Sequence, residues 1–482
     1  MSTFYRFRSV EHLLGKEYLE LENQSLFFAS PEQLNDAMEG YRDFFWSGDL
    51  IIWKNFFRHY LRCLQHALAL LILHGEGHHT ISVNELPLFS AADDFPTEDY
   101  RKLAEEIAQQ FFAREDVIKH ITGMVNSDSK IRRDELRFHL NYLHLIAFEC
   151  VANVHEAHGL MPERTVAVPD MRMRLQSVEH NNFFEKLSEL RKAHEDGDKF
   201  LEGLFQVSAQ LIGNLALGNF AARRVDPSAK NKNFVILDFP ERYLKAIERL
   251  AFRDWYTACF MSECSNSSIW GNYGHNHTGV CLIFEGKDYD DRSVLPIHAY
   301  NAVGAGGPIK GVVELPFSAV NYTEGYAKID FFRSLGRMPV PYVSRTWYLD
   351  ADGKASVCAE DMYRDEKAWR DRYWNNFLGD ILKKTDDWAY EKEYRLVLYG
   401  NTVDYADPRN RTLTYDFASL KGLIFGINAK TEDKLTIVEV IAQKCVAHKR
   451  ADFKFYQAYY DPHKRNIGHI EVMHLLPPLI TA

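Results

Sequence analysis

Strand-like segments stand at the two ends of this chain and a long helical stretch lies between them, so the N-terminal piece has to find its partners far downstream. The opening Phe4-Tyr5-Arg6-Phe7-Arg8 alternates aromatic and basic residues, which places Arg6 and Arg8 on one face of a strand. A short helix is expected over residues 10–20, and Leu26-Phe27-Phe28-Ala29 reads as a buried strand ended by Ser30-Pro31. From about Asp49 to about Glu248 the pattern changes to Leu, Ala, His, Glu and Arg at helical spacing, with helices predicted over 49–74, 97–114, 134–158, 181–194 and 199–217. The breaks fall at 75–94, 126–130, 159–170 and 226–233. Strand character returns over 255–261, 279–284, 320–322, 394–399, 422–426 and 453–459, with an amphipathic helix over 430–443. An apolar strand face must be covered by another layer. The expectation is therefore an α+β fold: a mixed, mainly antiparallel sheet built from residues 1–45 and 249–475, carrying an all-helical insertion over 46–248.

Composition narrows the function classes. The chain has 482 residues, 46% hydrophobic and 26% charged, enough for one large core or two smaller ones. A net charge of -10 gives no general field for nucleic acid. Seven cysteines without a Cys-x-x-Cys pair point to a reduced, cytoplasmic setting. The opening residues lack the apolar core of a secretion signal. The longest apolar run, residues 67–73, falls far short of the roughly 20 residues that cross a bilayer, so no membrane partner is expected.

The densest chemistry lies in Trp388-Ala389-Tyr390-Glu391-Lys392-Glu393-Tyr394-Arg395-Leu396-Val397. Read as a strand, its period of two puts Glu391, Glu393 and Arg395 on one face and Tyr390, Tyr394 and Leu396 on the other. Two carboxylates then share a space. The same pattern also builds a solvated sheet face, where cross-strand ion pairs contribute only about 0.2–1 kcal/mol each. Farther upstream, Trp270, Tyr273 and His277 fall at helix-like spacing in a stretch rich in glycine and asparagine. One reading makes Trp270 and Tyr273 a stacking platform for a base or nicotinamide ring, with His277 as hydrogen-bond donor or proton carrier. The other packs both aromatics in the core and has His277 cap the following strand.

Taken in order, the segments YRFRS, LFFASPEQLNDAMEG, WGNYGHNHTGVCLIFE, WAYEKEYRLVL and GLIFGINAKTEDK resemble the bacterial domain-of-unknown-function family twenty-nine seventy-one, over residues 1–45 and about 250–460. Ala37 stands where that family's second block has proline, while Asn35, Asp36 and Glu39 keep their places. The family label names no reaction, and the resemblance implies a setting beside phage-defence genes. The motif order is also similar to that of ADP-ribosyltransferases, which carry an arginine on the first strand, a serine ending the second and a Glu-x-Glu strand. That similarity implies an NAD-consuming effector. Arg6 or Arg8 would bind phosphate, Ser30 would brace the ribose pocket, Glu393 would act at the anomeric carbon and Glu391 would position an unidentified macromolecular acceptor. Asn35, Asp36, Trp270 and Tyr273 join Arg6 and Arg8 as cofactor-binding residues, and His277 joins the catalytic set.

Two other classes stay open. Asn35, Asp36 and Glu39 beside Glu391 suggest a magnesium-dependent nuclease, although the lysine such a strand needs two residues after the acid is here Glu393. The turn chemistry of Asp36 and Glu39 is the simpler account, and no metal site is expected. Nor do His139, His144, His155 and His158 have the i, i+4 spacing of a zinc-protease pair in His155-Glu156-Ala157-His158. The third class is a non-catalytic sensor, with the helical insertion docking a partner protein or a second copy. Trp53, Phe56, Phe57 and Leu61 wrap most of one helix and must be buried in a core or an interface.

Overall fold

The computed structural model describes residues 2–126, 130–162, 182–222, 226–304, 306–323, 325–400 and 403–472. Its first strand, Thr3–Arg8, lies inside an eight-stranded sheet in which every other strand comes from beyond residue 255. The spatial order is Ser318–Ala319, Glu393–Leu398, Tyr256–Met261, Thr3–Arg8, Val280–Glu285, Leu420–Phe425, Lys454–Asp461, Asn466–Glu471. All neighbours run antiparallel except Leu420–Phe425 and Lys454–Asp461. That parallel pair is joined by the helix Thr431–Ala447, the crossover a parallel connection requires. The fold is α+β with mixed, mostly antiparallel sheets, as the strand pattern predicted.

Alternation decides what each strand face meets. Phe4, Phe260, Phe284, Leu396 and Leu423 enter one core cluster, while Phe7, Met261, Cys281, Ile424 and Trp270 enter another. A second sheet runs Ser25–Phe27, Thr412–Tyr415, Arg292–Gly304, Lys287–Tyr289, with Gly307–Pro316 pairing along Arg292–Gly304. This long hairpin is not legible in the sequence, because Pro296 and the glycines at 304, 306, 307 and 311 break up its apolar alternation.

Two compact units divide the chain: Met1–Tyr41 with Asp254–Tyr326 and Leu378–Ala482, and Arg42–Arg253 with Ala327–Phe377. The second unit thus takes in Ala327–Phe377, which the sequence reading had grouped with the sheet. It is mainly helical, but not entirely so. Asp43–Trp46 pairs with Lys328–Asp330 and Ile131–Arg132 in a small three-stranded sheet. The long helix Leu50–His74 begins where Asp49 accepts the Ile52 N–H at 3.1 Å and ends at Gly75, whose φ of +57° suits glycine alone. Trp53, Phe56, Phe57 and Leu61 are buried inside this unit, so they need no outside partner to leave water. Its buried histidines serve packing, with His144 bonding the Tyr60 hydroxyl at 2.8 Å and His139 meeting His120 at 3.0 Å, while the exposed His158 reaches Glu106 at 2.8 Å on the surface. Part of the break predicted at 159–170 lies outside the described residues. No described helix is long and apolar enough to cross a membrane.

Candidate active site

A gap in strand pairing opens the site. Thr3–Arg8 pairs residue by residue with Val280–Glu285, but with Tyr256–Met261 it is in register only at Tyr5–Met261. Past that point Thr257 exchanges backbone hydrogen bonds with Ala29 instead, both at 2.8 Å. Arg6 bridges the gap, donating to the Cys259 carbonyl at 3.0 Å and approaching the Phe27 carbonyl at 3.5 Å. The result is a cavity of about 230 Å³ whose walls include Arg6, Arg8, Asn35, Glu39, Tyr273 and Glu393.

Carboxylates and cations interlock along the cavity wall. Register places Glu393 opposite Met261 and Arg395 opposite Cys259, so both project from one face, as their spacing predicted. Arg395 is fully buried and donates to Glu393 at 2.9 Å, to Glu39 at 2.5 Å and to the Ile381 carbonyl at 2.8 Å. Lys384 Nζ contacts Glu391 at 2.7 Å, Glu393 at 3.3 Å and Glu39 at 3.8 Å. Glu391 reaches this group by a route that period-two reasoning missed. It ends the 3₁₀ turn Asp386–Glu391, and Lys392, at φ +46°, turns the chain before the strand begins at Glu393. Tyr273 donates to Glu391 at 2.5 Å and accepts from Asn35 at 2.7 Å, carrying the network to an exposed side chain.

The charges displace one another's titration. Burial alone would raise Glu393, yet Arg395 and Lys384 outweigh it and hold the carboxyl down at about 2. Burial raises Glu391 and Glu39 and prevails over the cations beside them. Lys384 is pulled the other way, because Glu393 and Glu391 overcome the burial that would lower it. Glu393, with a folded value below the ordinary 4.5, stabilises the fold fully above pH 4.5 and progressively less as the pH falls toward about 2. The stability difference between the wild type and Glu393→Gln is therefore expected to shrink across that window when urea midpoints are measured against pH. A constant difference would contradict the account.

The other anticipated residues divide. Tyr273, Asn35, Arg6 and Arg8 line the cavity, although Arg8 is already engaged by Glu20, with one contact at 2.7 Å. Trp270 is no platform. It is 1% exposed, donates to the Cys264 carbonyl at 2.7 Å and meets Phe7 edge-on at 4.9 Å, because Ser267–Asn272 is a short helix whose inner face holds Ile269 and Trp270. Ser30 precedes the 3₁₀ turn Pro31–Gln33, and its N–H donates to Gln33 at 3.1 Å, so it serves the turn and does not line the cavity. Asp36 Oδ1 accepts the Met38 N–H at 2.9 Å. His277 lies in a left-handed run with His275 and Asn276 and is not among the cavity residues. Sequence reasoning missed Lys384, which sits outside every motif, and the pairing of Glu39 with Arg395. No local pattern marks them: Lys384 stands between Lys383 and Thr385, and Glu39 between Met38 and Gly40.

Lys384 and Arg395 fill the space beside Glu39, Glu391 and Glu393 that the magnesium reading required. Among the described residues no group of His, Cys, Asp and Glu is arranged to hold a metal ion. Residues 269–396 match the model of a family described as "Protein of unknown function (DUF2971)", which bears out the resemblance over that stretch. No curated protein and no solved structure matches the chain.

Proposed function

With residues 269–396 matched to a family of unknown function, the reaction has to be read from the pocket, and we propose that it binds the phosphorylated ribose of NAD and cleaves the bond to nicotinamide, as ADP-ribosyltransferases do. One observation carries this reading. Two buried polar atoms on residues lining the cavity have no partner: a donor, Arg6 Nε, and an acceptor, Glu39 Oε2. A buried polar atom left unpaired costs about 1–3 kcal/mol, and a ligand presenting an anion to the one and a hydroxyl to the other would relieve both. A sugar phosphate does this. Burial lowers Arg6 to about 10, which still leaves it charged at neutral pH.

Size supports part of a dinucleotide. Sites that enclose a whole small ligand occupy roughly 300–1,000 Å³, so a cavity of about 230 Å³ takes the ribose and its phosphate and leaves the remainder outside. In the reaction the ribose C1′–nitrogen bond breaks, its electron pair leaves with nicotinamide, and an acceptor adds at C1′. Glu393 stays ionised throughout the physiological range and offsets the positive charge that develops on the sugar. Removing one such group typically costs about 10²–10³ in turnover. Depletion of NAD would suit an effector of anti-phage defence, the setting that the family resemblance implies.

Nicotinamide release from NAD by the purified protein tests the proposal. Glu393→Gln is expected to lower the rate at least about a hundredfold while circular dichroism stays that of a folded protein. Full turnover in that variant would remove Glu393 from the chemistry.

A further inference from the structure

Glu391 is the residue an ADP-ribosyltransferase reading assigns to the acceptor, and here it cannot touch one. Its side chain is 0% exposed, Oε1 receives the Tyr273 hydroxyl at 2.5 Å, and Oε2 receives Lys384 Nζ at 2.7 Å. Tyr273 lines the cavity in its place. Its phenol oxygen donates one hydrogen bond and accepts one from Asn35, and a hydroxyl oxygen has room for a second incoming donor. Asn35 is exposed, so the network reaches solvent at this end and is buried at the Lys384 end.

We infer that Tyr273 takes the acceptor's proton and passes its own to Glu391, and that the acceptor is a neutral hydroxyl, water included. The inference rests on the NAD-consuming reading of the pocket. In one step the acceptor oxygen bonds to C1′, the C1′–nitrogen bond breaks with its pair leaving on nicotinamide, the acceptor's proton moves to Tyr273 Oη, and the phenolic proton moves to Glu391 Oε1. No other reactant is needed. The positive charge of the pyridinium nitrogen is lost as nicotinamide departs, and the released proton rests on Glu391. The groups facing the relay are Lys384 and Glu393 around Glu391, and Asn35 and Glu393 around Tyr273.

The charge arrangement selects the acceptor class. Glu391 and Glu393 are both taken up by Lys384 and Arg395, so neither is available to pair with a guanidinium acceptor. A carboxylate acceptor has no proton for the relay to take. A neutral O–H meets neither difficulty, and it needs what the relay supplies, a place for its proton. Base assistance of this kind contributes about 10²–10⁴ in rate.

Chemical rescue separates this role from a structural one. Tyr273→Phe keeps the ring and loses the relay; Glu391→Gln keeps an oxygen for the Tyr273 hydroxyl and cannot accept a proton. Both are expected to hydrolyse NAD about 10² more slowly than the wild type. Both should recover when sodium azide is added, since the azide ion attacks without a proton to lose. Glu393→Gln, defective in leaving-group departure, should not recover. Wild-type hydrolysis by Tyr273→Phe, or a defect that azide leaves in place, overturns the relay while the NAD reading stands. A wild type that releases no nicotinamide fails the underlying reading and the relay with it.

Discussion

Arg395→Met is expected to cost about 3–5 kcal/mol of folding stability, the range seen when one partner of a buried charge pair is removed. Arg395 lies among Glu393, Glu39 and the Ile381 carbonyl with no access to water, and its guanidinium sits 5.8 Å from the centre of the Trp255 ring. Methionine fills much of the same volume but supplies no donor. Glu393 and Glu39 would be left buried with only Lys384 to oppose them. The loss is read from urea denaturation at neutral pH. The double variant Arg395→Met/Glu393→Gln should recover part of it, because one of the stranded charges is gone, and the cycle gives the coupling directly. An unchanged midpoint in the single variant would mean that the cluster relaxes into water.

Trp270→Ala should destabilise by a similar amount, about 3–5 kcal/mol, as expected for deleting a large aromatic from a packed core. The indole packs against Phe7 and is fixed by its bond to the Cys264 carbonyl. Trp270→Phe should restore most of the packing and forfeit mainly that hydrogen bond, about 0.5–1.5 kcal/mol. Nucleotide affinity of the folded fraction should be unaffected in both. A variant that melts like the wild type but has lost its ligand would return Trp270 to the role of stacking platform.

The difference between Trp270 and Tyr273 shows where sequence reasoning stops. Both aromatics lie within one short helix and its cap, yet one faces Phe7 in the core and the other faces Glu391. Spacing shows that they share a side, whereas the depth of the turn decides which of them meets water. Strand periodicity did better with Glu393 and Arg395, because alternation is a property of the backbone itself. It failed at Glu391, which owes its place to the left-handed Lys392, a conformation that nothing in Glu-Lys-Glu announces. Lys384 as a member of the cluster, and Glu39 as the partner of Arg395, were out of reach for another reason. Neither lies on a periodic element, and the Glu39–Arg395 pair joins residues separated by 356 positions. The first strand was legible as a member of the late sheet because an amphipathic strand must be covered. The small sheet in the helical unit was missed because strands of two to four residues carry too little pattern.

The place of Thr3–Arg8 between strands that begin at Tyr256 and Val280 also governs timing. Arg6 leaves the ribosome well before Glu393, because the whole second unit, Arg42–Arg253 and Ala327–Phe377, is made in between. At about 5–20 residues per second, the nascent chain spends tens of seconds with one half of its cavity and none of the other. If the cavity drains NAD as proposed, the nascent chain is harmless to the translating cell for that interval, and a product truncated before residue 393 stays so.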